Sequence, residues 1–223
     1  MRISHSHKFV FIAIPKTGSS TVRQLLDSFS DVQSTQSGGR PGQFDHHITA
    51  GGLKSVFDRN RRQIFRKSSW KWREYFKFAF VRHPALRLRS SYYYQIQIGS
   101  QPPDDNLRKN DIKFYNRCNK LYESGLSLDD AVVSGSIHLK PMHYWTHDSQ
   151  GSLLLDYVGK LETLSSDLSI ISDSIGLELG QIPVINKSKK PGYEQCQSSF
   201  FSSEAYAQIQ RTYSKDFGLF EYE

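Results

Sequence analysis

The segment Lys8-Phe-Val-Phe-Ile-Ala-Ile-Pro15-Lys16-Thr17-Gly18-Ser19-Ser20-Thr21 constrains this chain more than any other. Phe9 to Ile14 is a continuous apolar run, which suits a central parallel strand covered on both faces. A tight turn of small residues carrying one lysine follows it. Val22, Leu25, Leu26 and Phe29 then recur at helical spacing, which predicts a helix from about Ser19 to Ser28. A strand that turns sharply into a helix aims backbone N–H groups at one point. The helix dipole adds positive potential there, and Lys16 adds a full charge. The product is an anion site, most naturally for phosphate. A second strand-to-helix junction, Phe78-Ala-Phe-Val-Arg82-His83-Pro84, carries another set of anion-binding groups, with Pro84 suited to a first helical turn.

The rest of the pattern extends this unit. Lys77 to Val81 and Leu153 to Val158 read as further strands, and a helix is predicted from Pro84 to about Ile98. Leu161, Leu164, Leu168, Ile171 and Ile175 step by three and four, giving an amphipathic helix stopped by Gly176. Other helical segments fall within Thr49 to Phe65, near Ile112 to Glu123 and Leu128 to Val133, and over about Ser203 to Tyr213. Ser34 to Gln43 and Gly99 to Asn110 read as loops, and Pro183 to Tyr193 as a basic loop. Strands alternating with helices predict an α/β fold in three layers, a central parallel sheet flanked by helices. Neither an internal repeat nor a boundary is evident, so residues 1–223 are expected to form a single domain.

Composition narrows the class. The chain has 223 residues, enough for one α/β domain with a sizeable core. No run approaches the roughly 20 apolar residues that span a bilayer, and Phe9 to Ile14 is too short for a signal peptide. Two cysteines, Cys118 and Cys196, do not make a disulfide framework, so a reducing compartment is expected. The net charge is +7. Arg59, Arg61, Arg62, Arg66, Lys67, Lys71 and Arg73 account for all of it, since removing them leaves 22 basic against 22 acidic residues. The segment is either a solvated basic helix face or a surface for an acidic substrate, a membrane surface or nucleic acid.

The first site is P-loop-like but not a Walker loop, in which the lysine follows the last glycine; here Lys16 precedes Gly18. The order Pro15-Lys-Thr-Gly-Ser-Ser-Thr21 resembles the 5′-phosphosulfate loop of sulfotransferases, in particular the carbohydrate group that includes the heparan 2-O and chondroitin/HNK-1 types and their bacterial relatives. Phe80-Val-Arg82-His83-Pro84-Ala-Leu-Arg87-Leu-Arg-Ser90-Ser-Tyr92 resembles that family's 3′-phosphate motif, with His83 where aspartate is usual. Val158-Gly-Lys-Leu-Glu-Thr-Leu164 and Ile182-Pro-Val-Ile-Asn-Lys-Ser188 resemble two further family segments, in the expected order. The resemblance implies 3′-phosphoadenosine 5′-phosphosulfate (PAPS) as donor, with 3′,5′-phosphoadenosine as product; no metal is expected, because Lys16 and the helix N-terminus supply the positive charge. It assigns cofactor binding to Lys16, Thr17, Gly18, Ser19, Ser20, Thr21, Arg82 and Ser90. Lys187, Lys189 and Lys190 form a basic loop that either closes over the cofactor phosphates or is a solvated turn, and Lys189 is the cofactor candidate there.

Sulfuryl transfer requires charge stabilisation on the leaving 5′-phosphate, a base for the acceptor proton, and in-line positioning. Lys16 is the candidate for the first. Phe44-Asp45-His46-His47-Ile-Thr-Ala50 resembles the segment that supplies the catalytic histidine in the 2-O group, which makes His47 the first choice of base and His46 the second. Asp45 is placed to orient either or to touch substrate. Ser136-Ile-His138-Leu-Lys-Pro-Met142 resembles a segment bordering the acceptor pocket, with Met142 in place of glutamine, and makes His138 a secondary base or substrate-binding candidate. His138, His143 and His147 match no common metal spacing.

The expected activity is sulfuryl transfer to an acceptor hydroxyl on a carbohydrate. The alternatives are a small secondary metabolite as acceptor, a kinase-like phosphotransferase, and an anionic-polymer binding module built on Arg59 to Arg73 with Trp70 and Trp72. The expected partner is a glycan or small molecule rather than nucleic acid. A soluble, cytoplasmic, bacterial enzyme is expected, because the anchor of Golgi relatives is not seen.

Overall fold

The apolar run after Lys8 becomes strand β2 (Phe9–Ile12), and its alternation shows how the core is built. The computed structural model describes residues 1–33, 45–62, 71–103, 109–180 and 200–223. Phe9 and Phe11 point to one face of the sheet and join Phe78 and Phe80 of β4 (Phe76–Val81). That cluster packs on Val22 and Leu26 of α1 (Ser19–Leu26) and on Leu168 and Ile171 of α7 (Leu164–Ile175). Val10, Ile12, Ala79 and Val81 point the other way and are equally buried, so these two strands are covered on both faces.

Among the described residues the sheet has five strands in the order β3-β1-β2-β4-β5. β2, β4 and β5 (Tyr157–Lys160) are parallel, with Ile12 opposite Ala79 and Phe80 opposite Gly159. β1 (Arg2–Ser4) pairs antiparallel with β2 and with β3 (Val32–Gln33). The expected parallel sheet is therefore its central part, and the antiparallel edge is an addition. The third strand falls at Tyr157–Lys160 rather than Leu153–Val158. Leu153 makes only an isolated bridge with His147 and is largely exposed. The ladder forms further along because Gly159 lets the strand approach Phe80: a Cβ there would lie 2.6 Å from Phe80 Cε1.

The chain divides into two compact units, one built from Met1–Arg82 and Met142–Lys187, the other from His83–Pro141 and Ser188–Glu223. The first holds the sheet, α1, α2 (Ala50–Arg62), α6 (His143–Thr146) and α7. Gly176 ends α7 with φ +64, the left-handed stop that its sequence predicts. The second unit is helical: α3 (Pro84–Gly99), α4 (Lys109–Glu123), α5 (Leu128–Val133), α8 (Ser203–Thr212) and α9 (Ser214–Leu219). Leu88, Leu121, Val132, Ile137, Ile209 and Tyr213 form its core. α3 and α4 touch backbone to backbone at Gly99, where a Cβ would lie 2.2 Å from the Cys118 carbonyl oxygen.

Arg87, on α3, is 1% exposed. It donates to the Lys140 carbonyl at 2.8 Å and is acted on by the Asp216 charge, so the motif's second arginine is a structural tie in the second unit. Among the described residues no helix is long and apolar enough to cross a membrane.

Candidate active site

The site begins where β2 runs out. After Ala13 and Ile14, which are buried, the chain turns through two left-handed residues, Lys16 with φ +67 and Gly18 with φ +75. A non-glycine residue in that region costs about 1 kcal/mol or more, which marks Lys16 as held there by its surroundings. Thr17 Oγ1 donates to the Ile14 carbonyl at 3.0 Å and fixes the turn. A Cβ on Gly18 would lie 2.5 Å from Leu161 Cδ1, so space as well as φ demands glycine. Gly18 is the N-cap of α1 and offers no side chain, and the first intrahelical bond is Val22 N–H to the Gly18 carbonyl at 3.3 Å. The N–H groups of Ser19, Ser20 and Thr21 are thus the helix's orphan donors, with no acid in the first turn to occupy them.

Two cations converge on this turn. β2 and β4 are adjacent and parallel, so the residues that follow them share one edge of the sheet, the carboxyl end where α/β sheets bind ligands. Arg82 follows β4 directly, is 7% exposed, and its N–H faces Met142 Sδ at 3.5 Å. The Lys16 amine is lowered from 10.5 to about 8, first by burial and then by the Arg82 charge. Buried like charges near one point favour an anion between them. The donor set of an ammonium, a guanidinium and helix N–H groups fits the phosphates of PAPS.

The segment that follows β5 supports the turn. Asp167 accepts from the Lys160 N–H at 2.7 Å, Tyr157 OH at 2.8 Å and Thr163 Oγ1 at 2.7 Å, which fastens the β5-to-α7 connection. Leu161, carried on that connection, is the residue that covers Gly18.

Both candidate histidines lie in the same unit. The His47 ring bonds the Ala13 carbonyl through Nδ1 at 2.7 Å. A carbonyl only accepts, so Nδ1 carries the hydrogen and Nε2 keeps its lone pair. Burial, the largest influence, lowers the His47 pKa, the Ala13 bond opposes it, and the Arg23 charge lowers it further. His46 is lowered from 6.5 to about 4, by burial first and then by Arg23. The two rings meet edge to face at 5.8 Å. Asp45 is exposed, and its Oδ1 accepts from the His47 N–H at 3.1 Å, so it shapes the turn that carries the histidines. Trp145 Nε1 donates to the His47 carbonyl at 3.0 Å and steadies the same turn.

The remaining candidates lie in the second unit or outside the described residues. Ser90 is half-buried on α3, whose N-cap is His83. His83 Nδ1 accepts from the Ala85 N–H at 3.2 Å and its Nε2 faces the Glu223 main-chain oxygen at 2.9 Å. His83 therefore caps α3 itself, a position that aspartate also suits. His138 is exposed and borders a cavity of ≈ 160 Å³ with Leu88, Ile137 and Tyr213.

His147 Nδ1 lies 2.8 Å from Thr146 Oγ1. Among the described residues no group of three or more His, Cys, Asp or Glu could hold a metal. Lys187, Lys189, Lys190 and the Pro183-to-Ser188 motif fall outside the described residues, as do Trp70 and most of the basic segment. Trp72 packs edge-on to Phe57 and under Lys77 Nζ, which makes it part of the fold rather than an open stacking platform.

Sequence reasoning missed Leu161 and Ala13 as parts of the site. Leu161 was legible as an apolar helix position and as part of the Val158-to-Leu164 segment, neither of which places it over Gly18, and a carbonyl leaves no mark in a sequence at all. No curated protein and no solved structure gives a significant match to this chain. A family model described as "Sulfotransferase family" matches residues 1–223.

Proposed function

This chain belongs to the sulfotransferase family, a PAPS-dependent family that includes carbohydrate sulfotransferases, and we propose that it sulfates a carbohydrate hydroxyl with His47 as the base. The observation that carries the base assignment is the bond from His47 Nδ1 to Ala13 at 2.7 Å. It ties the imidazole to the end of the strand that delivers Lys16, three residues on, and leaves Nε2 as the acceptor of a proton. The lowered pKa keeps that nitrogen unprotonated at neutral pH.

PAPS supplies the activated sulfuryl group. Lys16 and the N–H groups of Ser19, Ser20 and Thr21 hold the 5′-phosphate and take up the charge that grows on it. Arg82 holds the 3′-phosphate, and the resemblance adds Thr17, Gly18, Ser90 and Lys189 to the cofactor group. His47 Nε2 removes the acceptor's hydroxyl proton as the acceptor oxygen bonds to sulfur and the bond from sulfur to the 5′-phosphate oxygen breaks. His46 is the second candidate for the base, and His138 and Asp45 are acceptor-side candidates.

On this reading the turn from β2 into α1 is the P-loop-like element of a single sulfotransferase domain covering residues 1–223. Membership of the family sets aside the phosphotransferase and polymer-module alternatives. A cytoplasmic setting is part of the proposal and is supported by the free, buried thiol of Cys118.

The test is transfer of radiolabelled sulfate from PAPS to a panel of glycans and small hydroxylated metabolites, with wild type and His47→Asn. The proposal predicts label on glycans, lost in His47→Asn, with 3′,5′-phosphoadenosine affinity kept. Label on the metabolites alone overturns the carbohydrate assignment. Unchanged transfer by His47→Asn overturns the base assignment.

A further inference from the structure

Arg23 lies on the second turn of α1 and folds back over the first. Its Nε donates to the Ser19 carbonyl at 3.2 Å and its Nη2 to Ser20 Oγ at 3.2 Å. The nearest acid along the helix, Asp27, is bonded by Arg2. Nη1 of Arg23 is buried and has no hydrogen-bond partner among the described residues. A guanidinium presents five N–H donors in a fixed fork. One nitrogen of this fork is therefore unused in a place shielded from water, and an unmet buried donor on a charged group is costly. The Arg2 charge also acts on Arg23, and the Asp27 carboxylate that Arg2 bonds opposes it only in part.

The surroundings indicate where that anion comes from. The Arg23 charge acts on His46, where it is the largest influence after burial, and on His47. The charge that acts on Lys16 is that of Arg82. The cations thus form two groups, Lys16 with Arg82 on the loop that holds the donor, and Arg23 with the histidines. If His47 is the base, the histidine side is the side from which the acceptor arrives.

We propose that Arg23 binds an anionic substituent of the acceptor, a carboxylate or a sulfate next to the hydroxyl that is modified, and so selects acidic acceptors over neutral ones. The proposal rests on the reading of His47 as the base. A guanidinium suits either anion, because its parallel N–H pairs meet two oxygens at once. It makes Arg23 a specificity-determining residue of the first unit, carried on the same helix whose N-terminus holds the donor.

The experiment is an equilibrium titration of the full chain, saturated with 3′,5′-phosphoadenosine, with a nitrophenyl glucoside, the corresponding glucuronide and the glucoside 6-sulfate. The two charged probes separate a carboxylate preference from a sulfate preference. Wild type is expected to bind at least one of them roughly 10- to 100-fold tighter than the glucoside, the range of a hydrogen bond to a charged group. Arg23→Gln is expected to abolish that preference, and Arg23→Lys, which keeps the charge without the fork, to keep part of it. Thermal midpoint and 3′,5′-phosphoadenosine affinity of both variants verify that the loop and helix are intact. Equal binding of all three probes by wild type overturns the proposal, and so does an undiminished preference in Arg23→Gln. Transfer by His47→Asn is followed separately, and its outcome bears on the base assignment alone.

Discussion

Lys16 gives the site a pH dependence that can be worked out from its surroundings. Its amine is lowered from 10.5 to about 8, by burial first and by Arg82 second. Between those values the empty folded protein binds fewer protons than the unfolded chain, so this group makes stability rise with pH across that window. Ligand binding runs the other way. The donor phosphates need the protonated amine, and their charge raises its pKa in the complex. Their own second ionisation lies near pH 6 and contributes nothing above pH 8.

At pH 10 about one empty molecule in a hundred carries the charged amine. Affinity for 3′,5′-phosphoadenosine should therefore fall about tenfold per pH unit above pH 8, roughly 2.7 kcal/mol by pH 10. The assay is calorimetric titration from pH 7 to pH 10 with wild type and Lys16→Gln. The variant should bind more weakly at pH 7 and show no slope above pH 8. Removing Arg82 should move the wild-type break to higher pH, because one of its two causes is gone. A flat wild-type profile up to pH 9.5, or an equal slope in Lys16→Gln, would refute the assignment of Lys16 to the phosphate site.

Gly18→Ala should lower stability by about 1–3 kcal/mol in denaturant titrations, through φ +75 and the Leu161 contact at 2.5 Å, and Leu161→Ala in the same chain should recover only the steric part. Gly99→Ala should cost about 3 kcal/mol, read as a lower thermal midpoint, because its Cβ would meet the Cys118 backbone rather than a movable side chain. His83→Ala should cost about 1 kcal/mol by loss of the α3 cap, whereas His83→Asp should restore it in the same denaturant series.

How much was legible in the sequence depended on whether the signal was local. β2, its turn and α1 were legible because an apolar run, small residues and helical spacing lie next to one another. α3 was marked by Pro84 and α7 by its periodicity and Gly176. β1 and β3 were not legible. Arg2–Ser4 and Val32–Gln33 are too short to show alternation, and the first becomes a strand by pairing with β2.

The Leu153 run misled because apolar character does not fix register; Gly159, by admitting Phe80, does. In the site, Lys16 and Arg82 each carry a local motif. His47 stood out among eight histidines only by resemblance, and its attachment to Ala13 spans 34 residues that no periodicity connects. Arg23 falls between the apolar positions of α1 and carries no motif of its own. Only the fold shows that Asp27 is engaged by Arg2 and that Nη1 is shut away from water.

The donor site underlies the whole account, and one titration tests it most directly: 3′,5′-phosphoadenosine against adenosine 5′-phosphate, with wild type and Arg82→Ala. The account predicts that wild type binds 3′,5′-phosphoadenosine far more tightly, and that Arg82→Ala loses most of the difference. Equal binding of the two nucleotides by wild type, or a preference that survives Arg82→Ala, would contradict it.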